Sequence, residues 1–492
     1  MHPTFWYGKR VLITGHTGFK GSWLSLWLQS VGANVVGYAL APPTDPNMFT
    51  LASVADGMTS ILGDVRDAEH LLQTVARTKP EVVFHMAAQA LVRESYKDPV
   101  TTYATNVMGT VNLLDSVRHA GNVRAVVCIT SDNWYENRGW VWGYRENEAI
   151  GGYDPYSSSK GCAEIVAAAY RNSFFNPYHH AKHGTAIATV RTGNVIGGGD
   201  WAKDRLVPNI LRSLVKGETI ALRNPQAIRP WQHVLEPLSG YLTLAERLCE
   251  DGPSWSESWN FGPLSIGMKP ESWVVGQLIL LWGGNISWKQ DEGYQPYEDR
   301  NLMLDCAKSI HRLKWEPILD ITTALRLTVE WMKSLQAGAD MRQVSEYQIG
   351  RFIEWAQNAG TPSSLINWWM RAQDTAQPIN QLPEQARILD LMDESVMSRR
   401  TDGLISFWNR AAEKMYGWTK DEAIGQVSHS LLRTRFPQAL EIIERDLTRQ
   451  GQWEGKLLHA RRDGTWIEVD SRWVLLNSDE PRRVIEINSP RA

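Results

Sequence analysis

The stretch VLITGHTGFKGSWL, Val11 to Leu24, reads as a short β-branched strand, a turn punctuated by Gly15, Gly18 and Gly21, and a helix running on to Ser30. Glycines there let the backbone approach a pyrophosphate at a helix N-terminus, where unpaired amides and the helix dipole favour negative charge. A tight strand-to-helix turn is the ordinary alternative, so the triplet needs company. Outward from it, β-branched runs at Val35–Tyr38, Val82–His85, Ala125–Thr130 and Ala186–Arg191 alternate with helix-length segments at Glu69–Thr78, Thr101–His119 and Tyr156–Asn172. Such alternation predicts an α/β, doubly wound parallel sheet with crossover helices.

Tyr156 and Lys160 stand four residues apart on the last of these helices, so both side chains project from one face. A phenol titrates near pH ~10, and a neighbouring ammonium favours its phenolate, which suits Tyr156 to exchanging a proton with a substrate hydroxyl. Asp64-Val65, between the Val35–Tyr38 and Val82–His85 strands, and Ala87-Ala88-Gln89, just after the latter, extend the same edge, and an aspartate there can accept a bond from an adenine amino group. From Gly197 to Leu335 the alternation loosens into Gly-, Pro- and Trp-rich loops, as expected of a smaller substrate-binding lobe interleaved with the sheet.

The first domain is therefore drawn over 1–340, with a nucleotide-binding core to about residue 195, and 341–382 as a helical linker punctuated by Gly360, Pro362 and Pro378. Residues 383–492 carry a different pattern. Asp402-Gly403 and Asp463-Gly464 are hairpin signals. Thr419 with Glu422 is a capping-box candidate, and strands are expected at Glu454–Ala460, Trp466–Leu475 and Val484–Ile487. This is a small α+β domain.

Composition narrows the partners. The chain has 492 residues and a net charge of −3 with acids and bases interspersed, which gives no basic field for nucleic acid or anionic lipid. Four cysteines, Cys128, Cys162, Cys249 and Cys306, lack metal-ligand spacing, so reduced thiols, no metal and a cytoplasmic location are expected. The apolar run Trp273–Trp282 is too short to span a bilayer.

Long strings extend these motifs: TGHTGFKGSWL at 14–24, HMAAQALVR at 85–93, YENRGWVWGYREN at 135–147, GGYDPYSSSKGCAE at 151–164, TGNVIGGGDWAKDRLVPNI at 192–210 and RPWQHVLEPLSGYL at 229–242. They resemble the extended short-chain dehydrogenase/reductases, and within them the CDP-glucose 4,6-dehydratases, over roughly residues 5–357. The resemblance implies a Rossmann-like fold and a homo-oligomer, dimer or tetramer. It also implies NAD as recycled cofactor and conversion of CDP-glucose to CDP-4-keto-6-deoxyglucose for surface polysaccharide. It places the cofactor against Gly15, Gly18, Phe19, Gly21, Asp64, Val65, Ala87, Ala88, Gln89, Tyr156 and Lys160. Substrate contacts fall to Asn194, Arg205 and Arg229, since arginine grips a diphosphate with a fork of donors. Loop salt bridging is the ordinary alternative for the arginines, and packing the ordinary role of His233 and Trp231.

In that resemblance Tyr156, Lys160, Ser131, Asp132 and residue 133 are catalytic, Ser131 bonding the sugar and Asp132 protonating the departing carbon-6 hydroxyl. The chain departs at residue 133, where the resemblance expects a lysine and Asn133 stands beside Trp134 in place of a cysteine. An amide accepts no proton near neutral pH. Either a water or another residue carries the carbon-5 proton, or elimination is impaired and the chain is a 4-epimerase, an oxidoreductase or a nucleotide-sugar sensor. Where NAD enzymes often place an acid to bind ribose hydroxyls, this chain has Tyr38, Ala39 and Leu40, which leaves NAD and NADP unseparated on physical grounds.

Residues 383–492 resemble a PAS domain, particularly in WNRAAEKMYGWTKDEAIGQ at 408–426 and GQWEGKLLHARRDGTW at 451–466. The absence of cysteine there excludes thiol-adduct photochemistry. His429 and His459 admit a haem-ligand reading beside the ordinary one of hydrogen-bonding histidines. An effect on the first domain, or dimerisation, is the expected role.

Overall fold

The computed structural model describes residues 5–140, 142–264, 268–283, 286–291, 302–358, 394–400, 403–476 and 483–490. The chain divides into two units, residues 1–375 and 376–492.

The first unit is organised by a parallel sheet in the order β10-β6-β5-β4-β1-β2-β3. Its strands are β1 (Arg10–Thr14), β2 (Asn34–Ala39), β3 (Thr59–Leu62), β4 (Val82–His85), β5 (Ala125–Ile129), β6 (Ala186–Thr192) and β10 (Ser258–Phe261). Central strands β4, β5 and β6 are buried along their whole length, which is why Val82–Phe84, Ala125–Ile129 and Ala186–Ala188 read as apolar runs. Alternate residues feed opposite faces: Val11, Ile13, Phe84 and Val127 pack with Trp23, Leu24 and Trp27, whereas Leu12, Val83, Val126 and Ile187 pack with Leu71, Leu113 and Leu114. Thr14 pairs with Tyr38 on one side and His85 on the other, so the strand order reverses beside the glycine turn.

Thr101–His119 was expected as one helix, and the structure interrupts it. Helix Pro99–Tyr103 passes into a π-helical turn, Ala104–Met108, before Gly109–Ala120 resumes. The wide turn presents Asn106, whose carbonyl oxygen accepts from Gln89 N at 2.9 Å and whose amide donates to Ser159 Oγ at 2.8 Å. One inserted backbone position leaves no trace in hydrophobic periodicity.

A lobe follows, with a sheet of order β11-β9-β7, namely β7 (Asn194–Ile196), β9 (Ile228–His233) and β11 (Met268–Pro270), and a pair of short strands, β8 (Ile220–Leu222) and β12 (Trp288–Gln290). Its core gathers Ile210, Leu211, Trp231, Val274 and Leu278. The chain returns to the main sheet through β10, beside β6, so lobe and sheet interleave.

The segment 341–358 does not behave as a linker. It forms a helix, Met341–Asn358, that places Met341, Ile349, Phe352 and Ile353 in the core beneath the first helix, Phe19–Ser30. Trp27 meets Phe352 edge-on at 5.6 Å, and Trp331 Nε1 donates to Ser345 Oγ at 2.9 Å. Buried Ser345 and Gln348 interrupt the apolar stripe and gave it a polar look. The remainder of the expected linker, 359–382, lies outside the described residues.

The second unit is an antiparallel sheet of order β14-β13-β17-β16-β15, with strands β13 (Ser395–Arg400), β14 (Ile405–Trp408), β15 (Gln452–Ala460), β16 (Trp466–Leu476) and β17 (Arg483–Pro490). Gly464 takes φ +85° in the hairpin between β15 and β16, and Asp463 Oδ1 accepts from Thr465 N at 2.9 Å. Asp402 of the other turn lies outside the described residues. The capping box of Thr419 and Glu422 is present. Buried Arg399 lies over Trp473 at 4.5 Å and 3.6 Å from Glu486. His429 stacks on the same tryptophan at 5.4 Å, and His459 Nδ1 hydrogen-bonds the Tyr416 hydroxyl at 2.9 Å. Burial pushes both imidazoles down to about 3, so they are neutral packing groups.

A chain ending at residue 375 is expected to be soluble and to unfold cooperatively, whereas one ending at 340 uncovers Trp27 and removes the buried side chains of Met341, Ile349, Phe352 and Ile353, worth ~1.5–3 kcal/mol each. Thermal unfolding of the two fragments checks this: the shorter should aggregate or melt far lower, and equal melting would return 341–358 to the role of linker.

Candidate active site

Gly15 takes φ +78°, and a Cβ there would meet Ala87 N at 2.7 Å; a Cβ on Gly21 would lie 2.2 Å from Gly15 O. The turn is therefore closed down to bare backbone. Gly18 has room, its nearest neighbour being 3.4 Å away. The first helix begins at Phe19 with no side-chain cap and no acidic residue in its first turn, so its amides stay free for an anion. Ala87 and Gln89 are held from behind, Ala87 N donating to Thr14 Oγ1 at 3.2 Å and Gln89 Nε2 to Thr102 Oγ1 at 2.9 Å. These features fit a dinucleotide along the edge.

Asp64 is paired with a near neighbour in sequence. Both of its oxygens accept from Arg66, Oδ1 from Nε at 3.1 Å and Oδ2 from Nη2 at 2.5 Å, and the guanidinium holds the carboxyl below its usual range. Arg66 lies two residues on, a local pairing that a reading of the strand end alone does not show. Val65 is buried against Gly109. At the end of β2, Tyr38 donates to Asp64 O at 2.9 Å and Thr17 to Leu40 O at 2.9 Å, closing the place of an acidic ribose partner.

Beyond the turn opens a cleft of about 280 Å³ lined from the sheet by Ser131, Asp132, Asn133 and Tyr156 and from the lobe by Asn194, Arg205 and Arg229. Tyr156, at the start of helix Pro155–Ser173, is 8% exposed, and burial raises its phenol above the usual value, opposed by the Ser131 hydroxyl and the Arg205 charge. Lys160 follows one helical turn on. Its Nζ donates to Ile129 O at 3.2 Å, and burial pulls the ammonium down to about 8. The expected phenolate is thus opposed by the low dielectric, which penalises any charge.

Asp132 is 3% exposed, and its Oδ2 has no hydrogen-bond partner. Burial pushes its carboxyl up to about 7, against the pull of Arg229, Lys20 and Ser131, so a large share is protonated at neutral pH and able to donate. Asn133 lines the cleft, but Trp134 does not: it is fully buried, stacked on Tyr135 at 4.5 Å and covered by Arg191 at 4.2 Å. The indole therefore leaves the cleft untouched. Arg205 Nη1 is 2.9 Å from Asp200, and Arg229 Nε is 3.8 Å from Glu271. His233 is wholly buried and accepts from Leu235 N at 3.4 Å, and Trp231 donates to Lys269 O at 3.1 Å, both packing roles.

Lys20 and Asp200 are among the charged cleft residues that the sequence reading passed over. Lys20 sits in the first turn of the first helix, where a cation opposes the helix dipole. That local conflict was the available signal.

Among the described residues no helix is long and apolar enough to cross a membrane. A family profile for GDP-mannose 4,6 dehydratase matches residues 12–251, and the PAS fold matches 384–485. The chain is 56% identical over 348 residues to a CDP-glucose 4,6-dehydratase from Salmonella typhimurium, covering 70% of this chain and 97% of that protein. A dTDP-glucose 4,6-dehydratase from Streptomyces griseus is 27% identical over 65% of this chain and 93% of its own. Among solved structures, a dTDP-glucose 4,6-dehydratase from Bacillus anthracis in complex with NAD superimposes with TM-score 0.56 at 23% identity, over 68% of this chain and all of that one. A UDP-glucose 4-epimerase from Thermotoga maritima with UDP-glucose gives TM-score 0.55 at 21% identity, over 66% and 99% of the two chains. Both share the fold.

Gly21→Ala should force the turn open at a cost of ~1–3 kcal/mol, whereas Gly18→Ala should leave stability within about 1 kcal/mol of the original. Melting temperatures without added nucleotide check the contrast, and equal losses would mean that the turn is not closed as described.

Proposed function

Because the chain belongs to the CDP-glucose 4,6-dehydratase family, we propose that it removes water from CDP-glucose to give CDP-4-keto-6-deoxyglucose. The observation that carries this is the 56% identity spanning 97% of the Salmonella protein. Support comes from a cleft that assembles a phenol, a protonatable carboxyl and two arginines around one sugar-sized space. The residues at the glycine turn, with Ala87, Ala88 and Gln89, would hold NAD. When bound, it supplies a two-electron acceptor that oxidises carbon 4 and then returns the same electrons, with hydrogen, to carbon 6.

The protein's own groups move the protons. The phenolate form of Tyr156, which the Ser131 hydroxyl and the Arg205 charge favour against burial, takes the proton of the carbon-4 hydroxyl and becomes the phenol. The resulting ketone acidifies the proton on carbon 5. As that proton leaves, its bonding pair forms the carbon 5–carbon 6 double bond, the carbon 6–oxygen bond breaks, and Asp132 gives the departing hydroxyl a proton to make water. Over a turnover, the proton yielded by the carbon-4 hydroxyl restores Asp132. Arg205 and Arg229 hold the diphosphate, and Asn194 bonds the sugar.

Free thiols at all four cysteines suit the cytoplasm. Tyr103, Met108 and Ile165, exposed on neighbouring helices, suit association of copies into a homo-oligomer. The PAS unit supplies a regulatory or dimerising element.

Mass spectrometry of CDP-glucose incubated with the full chain and NAD should show loss of one water. An unchanged mass with altered stereochemistry would indicate epimerisation, and bound but unaltered substrate a sensor. Tyr156→Phe should lower turnover at least ~100-fold while substrate binding changes little, because it deletes one proton-exchanging oxygen and keeps the ring. Near-normal turnover of that variant would remove Tyr156 from the mechanism.

A further inference from the structure

Elimination from carbon 5 needs a proton acceptor, and Asn133 is not one. The carboxylates of the cleft are otherwise engaged. Asp200 pairs with Arg205 at 2.9 Å, Asp204 with Arg223 at 2.7 Å, and Glu271 lies 3.8 Å from Arg229. Asp154 caps helix Pro155–Ser173, accepting from Ser157 N at 2.9 Å. Asp132 serves as the acid. Lys160 points to the Ile129 carbonyl and is not among the residues lining the cleft.

Lys20 is different. It lines the cleft, and its Nζ reaches Thr192 Oγ1 at 3.4 Å. The next residue, Gly193, lies so close to Asp132 that a Cβ on it would be 3.1 Å from Oδ2. Adjacent positions at the end of β6 thus carry the lysine on one and the acid on the other. The geometry points to Lys20 as the base that removes the carbon-5 proton during elimination and returns it to carbon 5 afterwards, taking the role that Asn133 cannot fill. The inference rests on the dehydratase reading above.

The step balances. Neutral Lys20 takes the carbon-5 proton and becomes an ammonium; Asp132 gives its proton to the leaving hydroxyl; when carbon 6 is reduced, the ammonium protonates carbon 5 and returns to the amine. The groups facing Lys20 support this state. Burial, Arg205 and Lys160 pull its ammonium down to about 7, against the opposing pull of Asp132 and Asp200, so a large share is free amine at neutral pH. Asp132 must be protonated and Lys20 unprotonated, so water loss should rise with pH through Lys20 and fall through Asp132, giving a bell around pH 7.

The test uses the full chain with NAD and CDP-glucose and reads two signals: absorbance of reduced nicotinamide in a single turnover, which reports oxidation at carbon 4, and water loss with solvent deuterium entry at carbon 5 by mass spectrometry. Lys20→Met and Lys20→Arg should both form reduced nicotinamide to the extent of the original enzyme yet lose water at least ~100-fold more slowly, with the rising limb of the pH profile gone. Arginine keeps the charge and cannot become a neutral base, so its failure separates proton transfer from attraction of a phosphate. Asn133→Lys should recover water loss in the Lys20→Met background while adding little to the original enzyme. Water loss by Lys20→Arg within about threefold of the original enzyme would overturn the inference. An original enzyme that forms no reduced nicotinamide would instead overturn the dehydratase reading, and the inference with it.

Discussion

The site hangs on one buried ion pair. Glu164 and Arg191, each 4% exposed in its side chain, meet at 3.0 Å between helix Pro155–Ser173 and β6. Thr130 and Thr189 donate to the same carboxylate at 2.6 and 2.7 Å, and Arg191 also donates to the Tyr135 hydroxyl at 2.7 Å. These bonds join the helix that carries Tyr156 and Lys160, the loop that carries Ser131 and Asp132, and the strand that ends beside Lys20. A buried pair adds little net stability, but losing one partner strands the other charge at ~3–5 kcal/mol. Its value here is positional. With Trp134 and Tyr135 packed beneath Arg191, the loop after β5 has one arrangement, and Asp132 is held in a place too dry to ionise fully.

That dryness explains why acid and base can coexist. In water, a carboxyl and an ammonium at neutral pH are both charged and neither can do the required proton transfer. Desolvation moves the two toward each other on the pH scale, and their mutual attraction only partly opposes it. The same low dielectric raises Tyr156, opposed by the Ser131 hydroxyl and the Arg205 charge.

The glycine turn, the sheet order and the Tyr156–Lys160 helix were legible because each follows from local rules: small residues at a closed turn, apolar runs in doubly covered strands, i to i+4 spacing on a helix. The parts that stayed hidden depend on distant contacts. Helix Met341–Asn358 looked polar because its buried Ser345 and Gln348 find partners on Trp331 and Leu327, far from them in sequence. Lys20 looked like an ordinary helix residue until Thr192, 172 positions away, placed it in the cleft. Asn133 and Trp134 are neighbours in sequence, yet one lines the cleft and the other is buried in the core.

The central claim is that the cleft holds Lys20 as a free amine beside a protonated Asp132. Lysine-selective nitrogen NMR of the full chain, with Lys20→Met to assign the signal, measures it directly. A Lys20 resonance that titrates near pH 7 is the expected result. One that stays an ammonium until close to the ordinary lysine value of 10.5 would contradict the account.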